Sequence, residues 1–413
     1  MFASLPAVGQ KFLPKSIQFK GAPEYSEEEL LAAAGLKKGI VLSYAEMNDH
    51  SKQLLDTGAF DTLAFRFDGQ DLIFQLTASN NLLPIRLENL PLVPGKALDD
   101  RLHEKLPLFH GKVPNEDGMM EGVRVALEQM LAEKGIRVPV VATLAPGDPK
   151  QHNRVTAIGY SITSLPVFVG TVHLEGTSLL MAQKAQTLAS DATKMQFSTT
   201  ETGANLERTF ETAYEDQGYA AVKVHAVQSG EAILTSDSIR VPFSVSIEEG
   251  KIYKIGSVQL PEGAPITQAE VDKTLAERPG APVEGVRLRT VWSELASRYK
   301  AKGYLDCSVV PHPSFDEAAG VVNYTVDVEP GPVYHLAFVK FDNVSDDLRA
   351  RLIRNWQMVP GDVFDESYVS SFLLKAQQQD PVLGRSLAGM KAQFKVIADS
   401  QTHDVNLVIT LEK

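Results

Sequence analysis

The stretch WSELASRYKAKGY, residues 292–304, decides the fold. Together with Val291 before it, Leu295 and Tyr299 recur every four positions, the spacing of one face of a helix. Lys300 and Lys302 fall in the last turn, where positive charge suits the negative end of the helix dipole. Gly303 follows at the point where a left-handed cap needs a residue without a Cβ. Tyr304 then opens an apolar run to Val310, which reads as a strand and gives Cys307 the place of a small strand residue.

The same order recurs upstream. Phe210 to Gly218-Tyr219 leads into Ala221–Ala226, Leu127 to Gly135 into Ile136–Val138, and Leu54 to Gly58 into Leu63–Phe67. The cap glycines Gly58, Gly135, Gly218 and Gly303 stand 77, 83 and 85 positions apart. In a fifth, degenerate copy, Gly384 takes the glycine's place before a strand at Met390–Val396.

Two further landmarks accompany each glycine. A strand closes each copy with period-two alternation: Leu72–Leu76, Ile158–Ile162, Val241–Ile247, Val322–Val328 and Val405–Leu411. A strand opens each copy: Ile17–Phe19, Ile85–Leu87, Val172–Leu174, Val258–Leu260 and Val339–Phe341. Helix starts are marked by a hydroxyl with Glu three residues later, at Ser26/Glu29, Ser43/Glu46 and Thr267/Glu270, the pattern of a capping box. Each copy thus reads strand, helix, helix, strand, strand. The fold class is α+β, a tandem array of about five small βααββ two-layer domains of roughly 80 residues each. The expected boundaries are 15–79, 80–165, 166–250, 251–331 and 332–413. The joints are short, with Pro330 and Pro332 stiffening the last of them.

Composition narrows the function. Lys plus Arg number 40 and Asp plus Glu 52, a net charge of −12, so the broad positive field that grips nucleic acid or anionic lipid is absent. No stretch reaches the roughly 18 apolar residues of a membrane helix, and Met1–Pro6 carries no basic n-region of an export signal. The single cysteine cannot form an internal disulfide.

Little in the sequence carries chemistry. There are nine histidines and none has the helical pairing of a zinc protease. His103 and His110 are the nearest pair, but Pro107 breaks the helix between them, so they read as exposed polar residues and not as metal ligands. The carboxylate clusters at Glu27–Glu29, Asp99–Asp100 and Asp346–Asp347 sit at helix starts, where anions suit the dipole. No phosphate loop and no nucleophile elbow is present. The expectation is a non-enzyme with no cofactor and no metal.

The βααββ order, with Gly-Tyr between second helix and second strand, resembles the polypeptide-transport-associated (POTRA) domain of outer-membrane barrel-assembly factors. The resemblance is carried most fully by residues 251–331, through Ile255–Leu260, Gly303-Tyr304 and Val326-Asp-Val-Glu-Pro-Gly-Pro332. It implies a periplasmic, outer-membrane-associated scaffold of a Gram-negative-type bacterium. Such a scaffold binds unfolded outer-membrane proteins or assembly partners, and a membrane barrel in the native protein could follow position 413. A purely architectural spacer and an envelope hydrolase are the alternatives. In this family the strand after the Gly-aromatic pair lies at the sheet edge, where unpaired backbone groups accept an extended chain. Proline removes a donor from such an edge. Pro139 falls in that strand of the second unit, and Pro311 and Pro313 end that of the fourth. The expected partner-binding positions are therefore Leu63, Phe65 and Phe67 in the first unit, Val222 and Val224 in the third, and Phe394 and Val396 in the fifth.

Overall fold

A computed structural model describes residues 11–116, 118–146, 155–275, 282 and 284–412. The N-terminal stretch Met1–Pro6 and His152 lie outside the described residues. The chain divides into two compact bodies, Met1–Phe210 with Val224–Ile247, and Glu211–Lys223 with Glu248–Lys413.

The first body carries three sheets of the repeating kind. The opening, middle and closing strands are Ser16–Lys20, Phe60–Phe67 and Asp71–Ala78 in the first. They are Leu83–Leu87, Val140–Pro146 and Val155–Ile162 in the second, and Val167–Glu175, Lys223–Gln228 and Ile239–Glu248 in the third. The second body carries two more, Lys254–Gln259, Ser308–Asp316 and Val321–Glu329, then His335–Asp342, Lys391–Asp399 and Asp404–Glu412. In all five the closing strand is central, with the opening strand on one side and the middle strand on the other. The opening strand pairs parallel with the closing strand, for example Ile17 with Leu72 and Val339 with Leu407. The intervening helices form the crossover that a parallel pair requires. The middle strand pairs antiparallel, as a hairpin should.

Alternation on the closing strand explains the two layers. Val405, Leu407, Ile409 and Leu411 are buried against Leu352, Phe372, Ala376 and Leu383 of the covering helices. In the fourth unit Val322, Tyr324 and Val326 meet Leu288, Val291 and Leu295 of the helix Gly285–Lys300. All three capping boxes form. Ser26 and Ser43 each accept the N–H of the Glu three residues on, while that Glu accepts the N–H of the serine at 2.6 Å. Thr267 and Glu270 do the same at 2.7 Å and 3.3 Å.

Several local expectations need correction. Gly58, Gly135, Gly218 and Gly303 all take positive φ, but Gly384 does not. It sits inside an extra helix, Pro381–Ser386, whose first residue is a proline preset for that position. The fifth cap glycine is Gly389, φ 76°, which stands 86 positions after Gly303. The middle strand also begins later than the apolar runs suggest. In the second, third and fourth units four residues separate the glycine from the strand, which starts at Val140, Lys223 and Ser308. Val222 N–H donates to the Tyr219 carbonyl at 3.1 Å and Cys307 N–H to that of Tyr304 at 3.2 Å, so the aromatic residue closes a turn first. Cys307 therefore lies before the strand, and Pro139 precedes its strand as well. Conversely, Pro311 and Pro313 do not end their strand, which runs on to Asp316 and stays paired with Val321–Glu329. An edge strand tolerates this because a missing donor facing solvent leaves nothing unsatisfied.

Candidate protein-binding edges

The middle strand of each of the five repeated sheets has one ladder neighbour and one open side. That places the expected binding positions at edges, but their side chains differ in what they do. In the first unit Leu63, Phe65 and Phe67 alternate with exposed Thr62, Ala64 and Arg66. Phe65 packs 5.2 Å from the Tyr44 ring and 6.0 Å from Phe74, and Phe67 packs 4.9 Å from Phe12. Phe65 and Phe67 thus serve the unit's own packing, and Thr62, Ala64 and Arg66 are the exposed positions alternating with them.

In the third unit Val224 is buried and belongs to the core, while Val222 lies in the turn ahead of the strand and off the ladder. Glu207 also reaches this strand. Its Oε1 accepts the Ala226 N–H at 3.0 Å and lies 3.1 Å from His225 Nδ1. In the second unit Glu128 Oε1 accepts the Val140 N–H at 2.8 Å in the same way. A helix-borne carboxylate thus occupies one backbone donor on each of these strands. Sequence reasoning could place only proline on particular edges and did not find these two.

The fifth unit is the most open. Phe394 and Val396 stand opposite Ile409 and Leu407 on the antiparallel ladder, so each shares a face with its partner. Ile409 and Leu407 are fully buried, yet Phe394 is 41% and Val396 37% exposed. Ile397 on the opposite face is also exposed. The result is a strand with open backbone groups on one side and an uncovered apolar shelf beside it.

One arrangement thus recurs five times: parallel opening and closing strands, an antiparallel middle strand at the edge, and a positive-φ glycine before it. The architecture is POTRA-type. No family model matches the chain. Its sequence is 20% identical over 344 residues to an outer membrane protein assembly factor, BamA, of Buchnera aphidicola, an alignment covering 79% of this chain. The chain spans about half of that relative, 54% of its length. Among solved structures it is similar to POTRA domains 3–5 of Haemophilus influenzae BamA, with TM-score 0.40, 14% identity and coverage of 60% of this chain and 96% of that one. It is also similar to the N-terminal domain of Omp85 from Thermosynechococcus elongatus, with TM-score 0.21, 20% identity and coverage of 60% and 98%. Among the described residues no helix of this POTRA-type array is long and apolar enough to cross a membrane.

Proposed function

We propose that this chain is a non-catalytic periplasmic scaffold for outer-membrane protein assembly, whose units start near residues 15, 80, 166, 251 and 332. It receives extended segments of unfolded clients or assembly partners by adding them as strands to its sheet edges. The observation that carries the reading is the fifth unit's edge strand Lys391–Asp399, with its open side and the exposed shelf of Phe394 and Val396. Backbone pairing supplies affinity at such an edge, and a half-covered apolar row gives alternate side chains of the guest a place to bury. The similarity to an outer-membrane assembly factor supports the choice of client. The first unit's edge, Phe60–Phe67, is the second candidate. The third is handicapped by Glu207 and the fourth by Pro311 and Pro313.

The test is a pair of adjacent substitutions, Gln393→Pro and Phe394→Pro. Successive N–H groups on a strand point to opposite sides, so only one of these donors faces outward. The variant that loses the outward donor keeps its circular dichroism spectrum. It binds a ten-residue peptide of alternating apolar and polar residues, the pattern of a membrane-barrel strand, about tenfold or more weaker than the parent, since one hydrogen bond is worth roughly 1 kcal/mol and the ring also obstructs the guest. Undiminished binding by that folded variant sinks the edge-pairing reading.

An architectural spacer is the second reading, and one observation favours it. At the joint of the fourth and fifth units the Tyr334 N–H donates to the Gly303 carbonyl at 2.8 Å and its hydroxyl to Asp306 Oδ2 at 2.6 Å. Such a joint restricts bending. Binding lost at no edge would leave this reading in place.

A further inference from the structure

Three side chains from two units converge in the first body. Glu29 is the third residue of the helix Glu27–Ala33, His103 lies in the last turn of the helix Lys96–Lys105, and His110 follows the bend at Pro107. The bend that separates the two histidines along the helix axis folds the chain back, so their rings lie 5.5 Å apart. Glu29 Oε1 is 2.9 Å from His110 Nε2 and 3.4 Å from His103 Nε2. The three ligand-type atoms lie within 4.8 Å of one another. Glu29 is held in place from behind, because its other oxygen accepts the Ser26 N–H of the capping box at 2.6 Å.

The hydrogen-bond logic leaves a gap for a cation. His103 Nδ1 is 3.2 Å from the Phe109 carbonyl oxygen, which can only accept, so Nδ1 carries a proton. In the neutral ring Nε2 then presents a lone pair toward Glu29 Oε1. Two acceptors face each other at 3.4 Å, and only a proton or a metal ion between them turns that contact favourable. The Phe109 carbonyl also plays the part that an outer-shell partner plays for a metal-bound histidine, fixing tautomer and ring orientation.

We propose that Glu29, His103 and His110 form a binding site for a divalent transition metal, with Zn²⁺ the ion of choice. Two imidazoles and one carboxylate suit zinc, with a water completing the tetrahedron, whereas Ca²⁺ and Mg²⁺ prefer all-oxygen shells. Bonds of about 2.0–2.1 Å in a tetrahedron set ligand atoms about 3.3 Å apart. The two distances to Glu29, 2.9 Å and 3.4 Å, already bracket that edge. Metal entry requires that His110 move its ring proton from Nε2 to Nδ1 and that the two imidazole nitrogens, within 4.8 Å of each other, settle about 3.3 Å apart. The ion would pin the start of the first unit's first helix to the segment following the second unit's first helix. It would therefore act as a clamp between the two units, and the one position left to water adds no further protein group.

The experiment is calorimetric titration of the full, tag-free, EDTA-treated chain with ZnSO₄ at pH 7.5. One ion per chain is expected. His103→Ala and His110→Ala should each weaken binding by more than the roughly 10- to 100-fold that losing an outer-shell partner costs. Both side chains are partly exposed, so the variants should keep the parent's circular dichroism spectrum. His312→Ala, which removes an exposed histidine paired only with Asp327 at 3.1 Å, is expected to bind as the parent does. Repeating the titration at pH 5.5 should weaken binding, because imidazole must be neutral to ligate. No heat at pH 7.5, or stoichiometric binding that survives the double variant His103→Ala/His110→Ala, overturns the proposal.

Discussion

Replacing Gly303 by alanine puts the joint of the fourth and fifth units under a load that can be worked out from the structure. Gly303 has φ 87°, and an L residue there costs about 1–2 kcal/mol through contact of its Cβ with the backbone. The surroundings add to this. A Cβ built on Gly303 would lie 2.6 Å from Val363 Cγ1, 3.0 Å from Val333 Cγ1 and 3.1 Å from the Tyr334 carbonyl oxygen. Val363 is half-exposed and can turn away, but the Tyr334 backbone is tied by the 2.8 Å bond from its N–H to the Gly303 carbonyl. Crowding of this kind costs about 1 kcal/mol or more. The unfolded chain also loses freedom on gaining a methyl group, which returns roughly 0.4–1 kcal/mol. The net is a destabilisation of about 2 kcal/mol. Gly320 supplies the control, since its φ is 64° and nothing lies within 4 Å of its would-be Cβ. Gly320→Ala should therefore show the backbone cost alone, about 1 kcal/mol. Native-state hydrogen exchange is the right assay because it resolves local opening in a chain of several units, where a single unfolding free energy is ill-defined. The Tyr334 amide should exchange about 30-fold faster in Gly303→Ala, the factor that 2 kcal/mol implies. Equal effects from the two substitutions would refute the packing part of this reasoning, and no effect from either would refute the backbone part.

Two further outcomes follow from hydrogen-bonded ends and joints. Tyr334→Phe removes a hydroxyl that donates to Asp306 at 2.6 Å, and should lower the urea midpoint and speed exchange of the Tyr334 amide about 10- to 150-fold, the factor implied by roughly 1.5–3 kcal/mol for a hydrogen bond to a charged group. Burial, and then Asp306, raises the Tyr334 pKa from 10.0 to about 12, so the stability this hydroxyl contributes is present below pH 10 and is lost as pH climbs toward 12. Glu46 and Glu270 accept the backbone N–H of Ser43 and Thr267, which holds both carboxyls below the usual 4.5. A lowered pKa means stability present above 4.5 and lost as pH falls below it, so acid should shift the parent's midpoint downward more than that of Glu46→Gln, with parallel acid curves the contrary result.

The repeat itself was legible because its signals are local. A capping box involves residues three apart, a cap glycine answers the conformation of its own backbone, and alternation on the closing strand reports which face is wet. Each can be read without knowing what lies across the fold, and each recurs, so five faint copies reinforce one another. Where neighbouring signals compete, the reading slipped by a few residues. Pro381 starts an extra helix that absorbs Gly384, and the aromatic residues Tyr219 and Tyr304 close a turn where the apolar run suggested strand.

Binding edges and metal ligands are matters of distance through space. Phe65 and Phe394 occupy comparable edge strands and look alike in sequence. Only the rings of Tyr44 and Phe74 beside the first, against the 41% exposure of the second, separate a half-buried residue from an exposed one. Glu207 and Glu128 read as surface charges until the fold sets them against backbone donors of strands 19 and 12 residues downstream. Glu29 is fully accounted for as a helix cap by its neighbours in sequence, yet its second oxygen meets a histidine 81 positions away. The sequence alone thus determined the repeating unit and the order of its elements, because those rest on backbone propensities and on periodicity within a few turns. The tertiary structure decided which edge is bare and which side chains converge, because those depend on how far one layer overhangs another and on where a chain bend returns a residue to a partner it does not adjoin.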